Sequence, residues 1–272
     1  MLDLPIRLIA TDIDGTLSNG HGKIPERNIR AIERAREKGI VFAVASGRFA
    51  ENVYLLMEDC GIRCPVVGTN GARIVDEKLK TLSEHRMNPN AARQVVEALI
   101  DYGTEYFIFS DRAICIGSQT GVHHSELSQG DRVRALGFTY YHGPDEARAL
   151  AERCVHKFFI TNQKPLEPIR EALKGISGID LTQSAANNIE VMPQGVDKGK
   201  GVRDLADLYG IPMSQVMTLG DESNDIPMLK AAGYGVAMGN GSDEAKAAAR
   251  FITGSNKDCG FAEAIEKYAL KE

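Results

Sequence analysis

Short apolar runs alternate with amphipathic stretches at both ends of this chain. Ile6 to Thr11 is brief, mostly apolar and followed by turn formers, the pattern of a buried strand. Pro25 opens a stretch with apolar positions at Ile29, Ile32 and Ala35 that stops near Gly39, and proline first with glycine last predicts a helix. Ile40 to Ala45 is apolar almost throughout, which suits a parallel strand covered on both faces, and Val66 to Thr69 reads as another. Strand, helix and strand in this rhythm make a βαβ unit. The C-terminal part repeats it: helix from Gly201 to Tyr209, strand from Val216 to Leu219, helix from Ile226 to Ala232, strand from Tyr234 to Ala237, and a short helix from Asp243 to Ala249. The two ends therefore read as halves of one doubly wound, Rossmann-like α/β domain, residues 1–81 with 194–272.

Residues 82–193 have a different texture. Helices are expected at Ala91 to Tyr102, Glu146 to Glu152 and Pro168 to Leu173. Strands are expected at Glu105 to Phe109, Ala113 to Ile116, Val155 to Thr161, Ile179 to Thr182 and Ile189 to Met192. Adjacent strands mixed with helices predict an α+β domain inserted into the first. Linkers are expected at Thr81 to Ser83 and Pro193 to Gly195.

Composition narrows the partners. The 272 residues are 43% hydrophobic, enough for a core, and carry a net charge of -5, which argues against a nucleic-acid backbone as partner. No apolar run approaches the roughly 18 residues of a membrane span. Met1 to Pro5 lacks the basic and apolar start of a signal peptide, so a cytoplasmic protein is expected. Five scattered cysteines suggest reduced thiols. Cys60 and Cys64 lack a second pair at zinc-site spacing, and adjacent residues such as His123 and His124 do not share a face. Monomer and homo-oligomer both stay open.

Four segments at predicted strand ends carry chemistry. Asp12 and Asp14 follow the first strand, where ligands bind in an open parallel sheet. Carboxylates this close repel unless a proton or cation intervenes, and magnesium favours such oxygens; an acidic turn capping the strand is the plainer reading. At Ser46-Gly47-Arg48 a hydroxyl and backbone N–H groups can meet an anion, or Ser46 can simply cap a helix. Lys198, between Gly195 and Gly201, offers a point charge without Walker spacing, or lies in a flexible basic loop. Asp221 can reach a metal, with Asn224 and Asp225 behind it as supports, or the segment is a polar loop at a helix start.

In this order, Asp12-Ile13-Asp14-Gly15-Thr16, Ser46, Lys198 and Gly220-Asp221-Glu222-Ser223-Asn224-Asp225 resemble the haloacid dehalogenase superfamily. The insert, with Ser46-Gly47-Arg48, Asn70-Gly71-Ala72 and Gly195 to Gly199, is similar to its Cof-type phosphatases with an α/β cap (class IIB). The resemblance implies that Asp12 attacks phosphorus to give an aspartyl-phosphate, and that Asp14 protonates the leaving alcohol and then activates water. It implies that Ser46, Gly47 and Lys198 hold phosphate, and that Asp12, the Asp14 carbonyl and Asp221 hold Mg2+, supported by Asn224 and Asp225. A small phosphorylated metabolite is the expected partner, with the cap choosing it. Arg48, Asn187, Asn188 and Glu190 are candidates for substrate contact; a polar strand face is the plainer reading of the last three. Phosphoryl transfer to a second hydroxyl and phosphate sensing without catalysis are the competing functions. An intact Asp14 argues against the sensor, because binding alone needs no acid or base.

Overall fold

The computed structural model describes residues 5–117, 130–161, 164–184 and 187–272. They divide into two compact units, residues 1–83 with 197–272, and residues 84–196.

The first unit begins with β1 (Leu8–Thr11), β2 (Val41–Ala45), β3 (Val66–Gly68), β4 (Arg73–Val75) and β5 (Thr81–Glu84), whose last residue, Glu84, opens the second unit. The second unit contributes β6 (Tyr106–Ser110), β7 (Ala113–Gly117), β8 (Thr139–His142), β9 (Lys157–Thr161), β10 (Ile179–Thr182) and β11 (Asn188–Pro193). The chain then returns with β12 (Val216–Gly220), β13 (Tyr234–Ala237) and β14 (Phe251–Ile252). Among the described residues, the first sheet has eight strands in the order β14-β13-β12-β1-β2-β3-β4-β5.

β1 lies at the centre and pairs in parallel with β12 and β2, with Leu8 opposite Val216 on one side and Val41 on the other. Side chains alternate between faces along each strand. Ile9, Val44 and Leu219 join Ala31 and Phe261 in one apolar layer, while Leu8, Ala10 and Ala43 join Val202 and Leu205 in another. Each fully buried Leu, Ile or Phe in these layers contributes roughly 1.5–3 kcal/mol. Apolar character on both faces explains why the sequence of these strands runs without polar alternation. The expected doubly wound parallel core is thus present, with β4 antiparallel to β3.

Three local differences from the sequence expectation have physical causes. The helix placed at Gly201 starts at Lys198, because the Asp197 side chain accepts from the Lys200 N–H and caps it. The segment Thr81 to Ser83, expected as a linker, is part of strand β5 at the sheet edge. A helix over Ala50–Asp59 lacks a clean apolar stripe because Glu51 and Asn52 are buried along with its apolar residues. Glu51 is matched across the unit by Arg73 at 2.7 Å, a buried ion pair.

In the second unit the described strands form a sheet of order β10-β11-β9-β6-β7-β8, mostly antiparallel, with β8 parallel to β7. Helices at Pro89–Tyr102, Pro144–Arg153 and Leu166–Lys174 share an apolar cluster with Ile108, Phe158, Ile160 and Ile189 from one sheet face. The five cysteines form no disulfide. No helix among the described residues is long and apolar enough to cross a membrane. His123 and His124 lie outside the described residues.

Candidate active site

The parallel pairing of β1 and β12 places two acidic segments side by side. Asp12 continues the strand, its N–H donating to the Leu219 carbonyl. The chain then turns through Ile13–Leu17, with Gly15 at a φ of +80°. A Cβ on Gly15 would lie 2.0 Å from Asp221 Oδ2, so only glycine admits Asp221 there. The Thr16 hydroxyl donates to Asp221 Oδ1 at 2.7 Å and fixes the carboxylate from the same turn.

Lys198 is 1% exposed, at the first position of its helix. Its ammonium donates to Asp12 Oδ1 at 2.7 Å and to Asp225 Oδ1 at 2.6 Å. The other Asp225 oxygen accepts from the N–H groups of Asp221 and Glu222. Asp225 is therefore a brace: it holds the lysine with one oxygen and the Asp221 loop with the other. Close packing keeps the lysine helix in place, since a Cβ on Gly199 would meet the Pro227 backbone at 2.6 Å.

Asp12, Asp221 and Asp225 each place a carboxylate oxygen within 4.8 Å of the others, a group able to hold a metal ion. Three carboxylates share one ammonium. Burial, followed by the charges of Asp225 and Asp221, pushes the Asp12 carboxyl up to about 8 against the pull of Lys198. Burial likewise pushes Asp221 up to about 7, opposed by the Thr16 hydrogen bond and Lys198. Burial disfavours the Lys198 ammonium, yet Asp12 and Asp225 outweigh it and hold the lysine above its ordinary pKa. Excess buried negative charge of this kind calls for a cation or protons. Asp225 is occupied by three donors, so Asp12 and Asp221 are the carboxylates that fit a divalent ion.

Asp14 stands apart from this cluster. Its carboxylate is half exposed and clasped by Arg48, with Nε 3.0 Å from Oδ2 and a terminal nitrogen 2.8 Å from Oδ1. Arg48 also donates to Asn52 Oδ1. Ser46 is buried at the end of β2, its N–H bonded to the Val67 carbonyl and its Oγ accepting from the Arg48 N–H across Gly47. Asn224 contacts Asn70, which sits at a φ of +52° and whose N–H donates to the Ser46 carbonyl.

The structure thus gathers Asp12, Lys198, Asp221 and Asp225 directly, with Ser46 and Asn224 linked through Asn70 and Asp14 joined to Arg48. Asn187 is exposed, whereas Asn188 and Glu190 are buried and both bond to Ser184, with Glu190 also 3.4 Å from Lys157. These last two have partners inside their own unit, as on a polar strand face. Sequence reasoning gave no role to Thr16, Asn70 or Asn240, which donates to the Gly15 carbonyl. Thr16 and Asn70 lie in quoted motifs; Asn240 follows β13 with no motif to mark it.

Residues 9–265, which carry the doubly wound sheet with its acidic cluster and buried lysine, match the haloacid dehalogenase-like hydrolase family. The chain belongs to that family. It is 28% identical to the 5-amino-6-(5-phospho-D-ribitylamino)uracil phosphatase YwtE of Bacillus subtilis, over 96% of this chain and 98% of that one. It is also 28% identical to the pyridoxal phosphate phosphatase YbhA of Escherichia coli, over 97% and 99% of the two chains. A solved haloacid dehalogenase-like hydrolase from B. subtilis superimposes with a TM-score of 0.83 at 26% identity, covering 96% of this chain and 99% of its own. Within the family the chain is an enzyme of the phosphatase class.

Proposed function

We propose that this chain is a magnesium-dependent phosphatase that hydrolyses small phosphate monoesters through an aspartyl-phosphate on Asp12. The observation that carries this reading is the contact of Asp12 Oδ1 with the buried Lys198 ammonium, inside a cluster of carboxylates that needs further positive charge. Asp12 and Asp221, with the Asp14 backbone carbonyl, are the groups to hold magnesium. The ion's chemistry there is to offset the negative charge of phosphate and carboxylate.

An oxygen of Asp12 attacks phosphorus, the ester P–O bond breaks, and Asp14 gives its proton to the leaving alcohol. Asp14 then takes a proton from water, which attacks the phosphorus of the acyl phosphate and frees Asp12 and inorganic phosphate. Two easier displacements replace one hard one. Lys198, Ser46 and Gly47 hold phosphate oxygens, and positioning plus charge stabilisation supplies most of the rate. Arg48 holds the Asp14 carboxylate through two hydrogen bonds. The 84–196 unit selects the leaving group. Sugar phosphates, pyridoxal phosphate and phosphoribitylamino-pyrimidines are the classes that the resemblance and the relatives suggest.

The test is phosphate release from a panel of these esters and from p-nitrophenyl phosphate, with magnesium or EDTA. Activity should need magnesium and vanish in Asp12→Asn. Full turnover in EDTA, or in that variant, would rule out the mechanism.

A further inference from the structure

The 84–196 unit holds a second convergence of side chains with different chemistry. Cys154 and His156 stand two residues apart in the segment entering β9, and Cys154 is extended, at φ -162° and ψ 120°. Period-two geometry sends their side chains to the same side of the chain. Glu84, the first residue of the unit, brings a carboxylate to them. His156 Nε2 lies 3.2 Å from Glu84 Oε2 and 3.5 Å from Cys154 Sγ. One ligand atom from each of the three lies within 4.8 Å of the other two, and the histidine is 1% exposed.

A single imidazole nitrogen carries one proton or one lone pair. As a donor it serves Glu84 or a thiolate, and as an acceptor it serves only the thiol. One cation bound by the thiolate, imidazole nitrogen and carboxylate meets the needs of all three. The spacings agree with this. Zinc binds sulfur at about 2.3 Å, histidine nitrogen at about 2.0–2.1 Å and carboxylate oxygen at about 2.0–2.2 Å, so tetrahedral angles separate nitrogen from oxygen by about 3.3–3.5 Å and sulfur from nitrogen by about 3.5–3.6 Å. The observed 3.2 Å and 3.5 Å lie close to those values.

The surroundings fit as well. Arg86 donates to Glu84 Oε1, the oxygen not facing the histidine. Cys154, Ser110 and Arg86 also border a cavity of about 400 Å³, which provides an entry path. One thiolate, one carboxylate and a neutral imidazole together balance a divalent ion.

We propose that Glu84, Cys154 and His156 form a site for a thiophilic divalent metal, zinc by ligand type, with water completing four-coordination. The ion would tie the entry of the chain into this unit to the start of β9. It is separate in ligand set from the all-carboxylate cluster, which suits a harder cation.

The test uses the full chain, stripped of metal and then held in excess magnesium so that the aspartate cluster is occupied. Zinc is titrated against a chromogenic chelator, and cobalt(II) is added in parallel as a spectroscopic substitute. The expected result is one zinc equivalent, a tetrahedral cobalt spectrum with a thiolate charge-transfer band, and a zinc-dependent rise in Tm. In Cys154→Ser the band should vanish, and in both Cys154→Ser and Glu84→Gln zinc affinity should fall at least about 10-fold. Absence of zinc uptake in the wild type, or wild-type affinity and spectrum in Cys154→Ser, would overturn the site. If Cys154→Ser fails to fold by circular dichroism, Glu84→Gln decides alone: unchanged zinc affinity in it overturns the proposal.

Discussion

The Lys198 ammonium lies 2.7 Å from Asp12 Oδ1, and the lysine that makes this contact is among the most deeply buried side chains in the chain. Among the described residues, that ammonium donates to Asp12 and Asp225. Removing the charge leaves two buried carboxylates facing each other. Lys198→Ala should therefore cost about 3–5 kcal/mol of stability, the scale for breaking a buried pair. It should also lower kcat by about 10²–10³-fold, the scale for losing one donor to developing charge. Denaturant melts and steady-state kinetics check the two effects separately. A variant with native stability would show that the pair is solvated and not buried in solution.

Asp14 offers a contrast, because its pair with Arg48 is partly exposed. Exposed pairs stabilise by about 0–1 kcal/mol, so neither Asp14→Asn nor Arg48→Ala should shift the unfolding midpoint much. Turnover should nevertheless fall by about 10²–10⁴-fold in Asp14→Asn, the scale of acid–base loss. Arg48→Ala should change turnover less than Asp14→Asn, since it removes a partner of the Asp14 carboxylate and not the carboxylate itself. Equal rates in Asp14→Asn and wild type would remove Asp14 from acid–base duty.

Gly15 tests the link between the two acidic strand ends. Alanine there meets two penalties: a left-handed backbone, at φ +80°, and a Cβ 2.0 Å from Asp221 Oδ2. Gly22 shares the left-handed backbone, at φ +69°, but a Cβ there meets nothing within 4 Å. Each substitution should lose roughly 1–2 kcal/mol from the backbone alone. Only Gly15→Ala should also displace Asp221, and it should raise the magnesium concentration needed for half-maximal activity. Identical magnesium dependence in the two variants would separate Gly15 from the carboxylate proposed to bind magnesium.

These residues differ in how far the sequence could foretell them. β1, β2, β12 and β13 were legible because apolar residues fill both faces and turn formers close each run. Asp12 and Asp221 were legible because each directly follows such a strand, and Lys198 because it stands between glycines ahead of the expected helix. β4 and β5 were not, being short strands without alternation, the last of them at the sheet edge. The Ala50–Asp59 helix hid because its buried Glu51 answers to Arg73, 22 residues away, and no local pattern records that pairing. The clasp of Arg48 on Asp14 spans 34 residues for the same reason. His156 falls inside the expected Val155 to Thr161 strand and Cys154 just before it, and Glu84, 72 residues from His156, meets them only in the fold. Contacts made by the tertiary fold alone are the ones that sequence patterns leave out.

Proton binding gives the sharpest test of the acidic cluster. Without metal, burial and neighbouring carboxylates push Asp12 up to about 8 and Asp221 up to about 7, from an ordinary 3.8. A carboxyl whose folded pKa lies above its unfolded value is protonated more readily in the native state. Its contribution to stability is therefore full below the unfolded value and is lost as pH rises through the folded one. Metal-free protein should lose stability progressively from about pH 4, the unfolded value, to about pH 8.5, just above the folded ones. Magnesium bound at these carboxylates, as proposed, would need them deprotonated, so it would compete with protons and relieve the charge that accumulates at high pH. The rise in Tm on adding magnesium should thus be larger at about pH 8.5 than at about pH 6. Asp221→Asn removes one of the two titrating groups, so it should flatten the metal-free pH profile and shrink the magnesium shift together. Magnesium shifts of equal size at both pH values in the wild type would mean that these carboxyls do not exchange protons for the metal, and that another group sets the pH dependence.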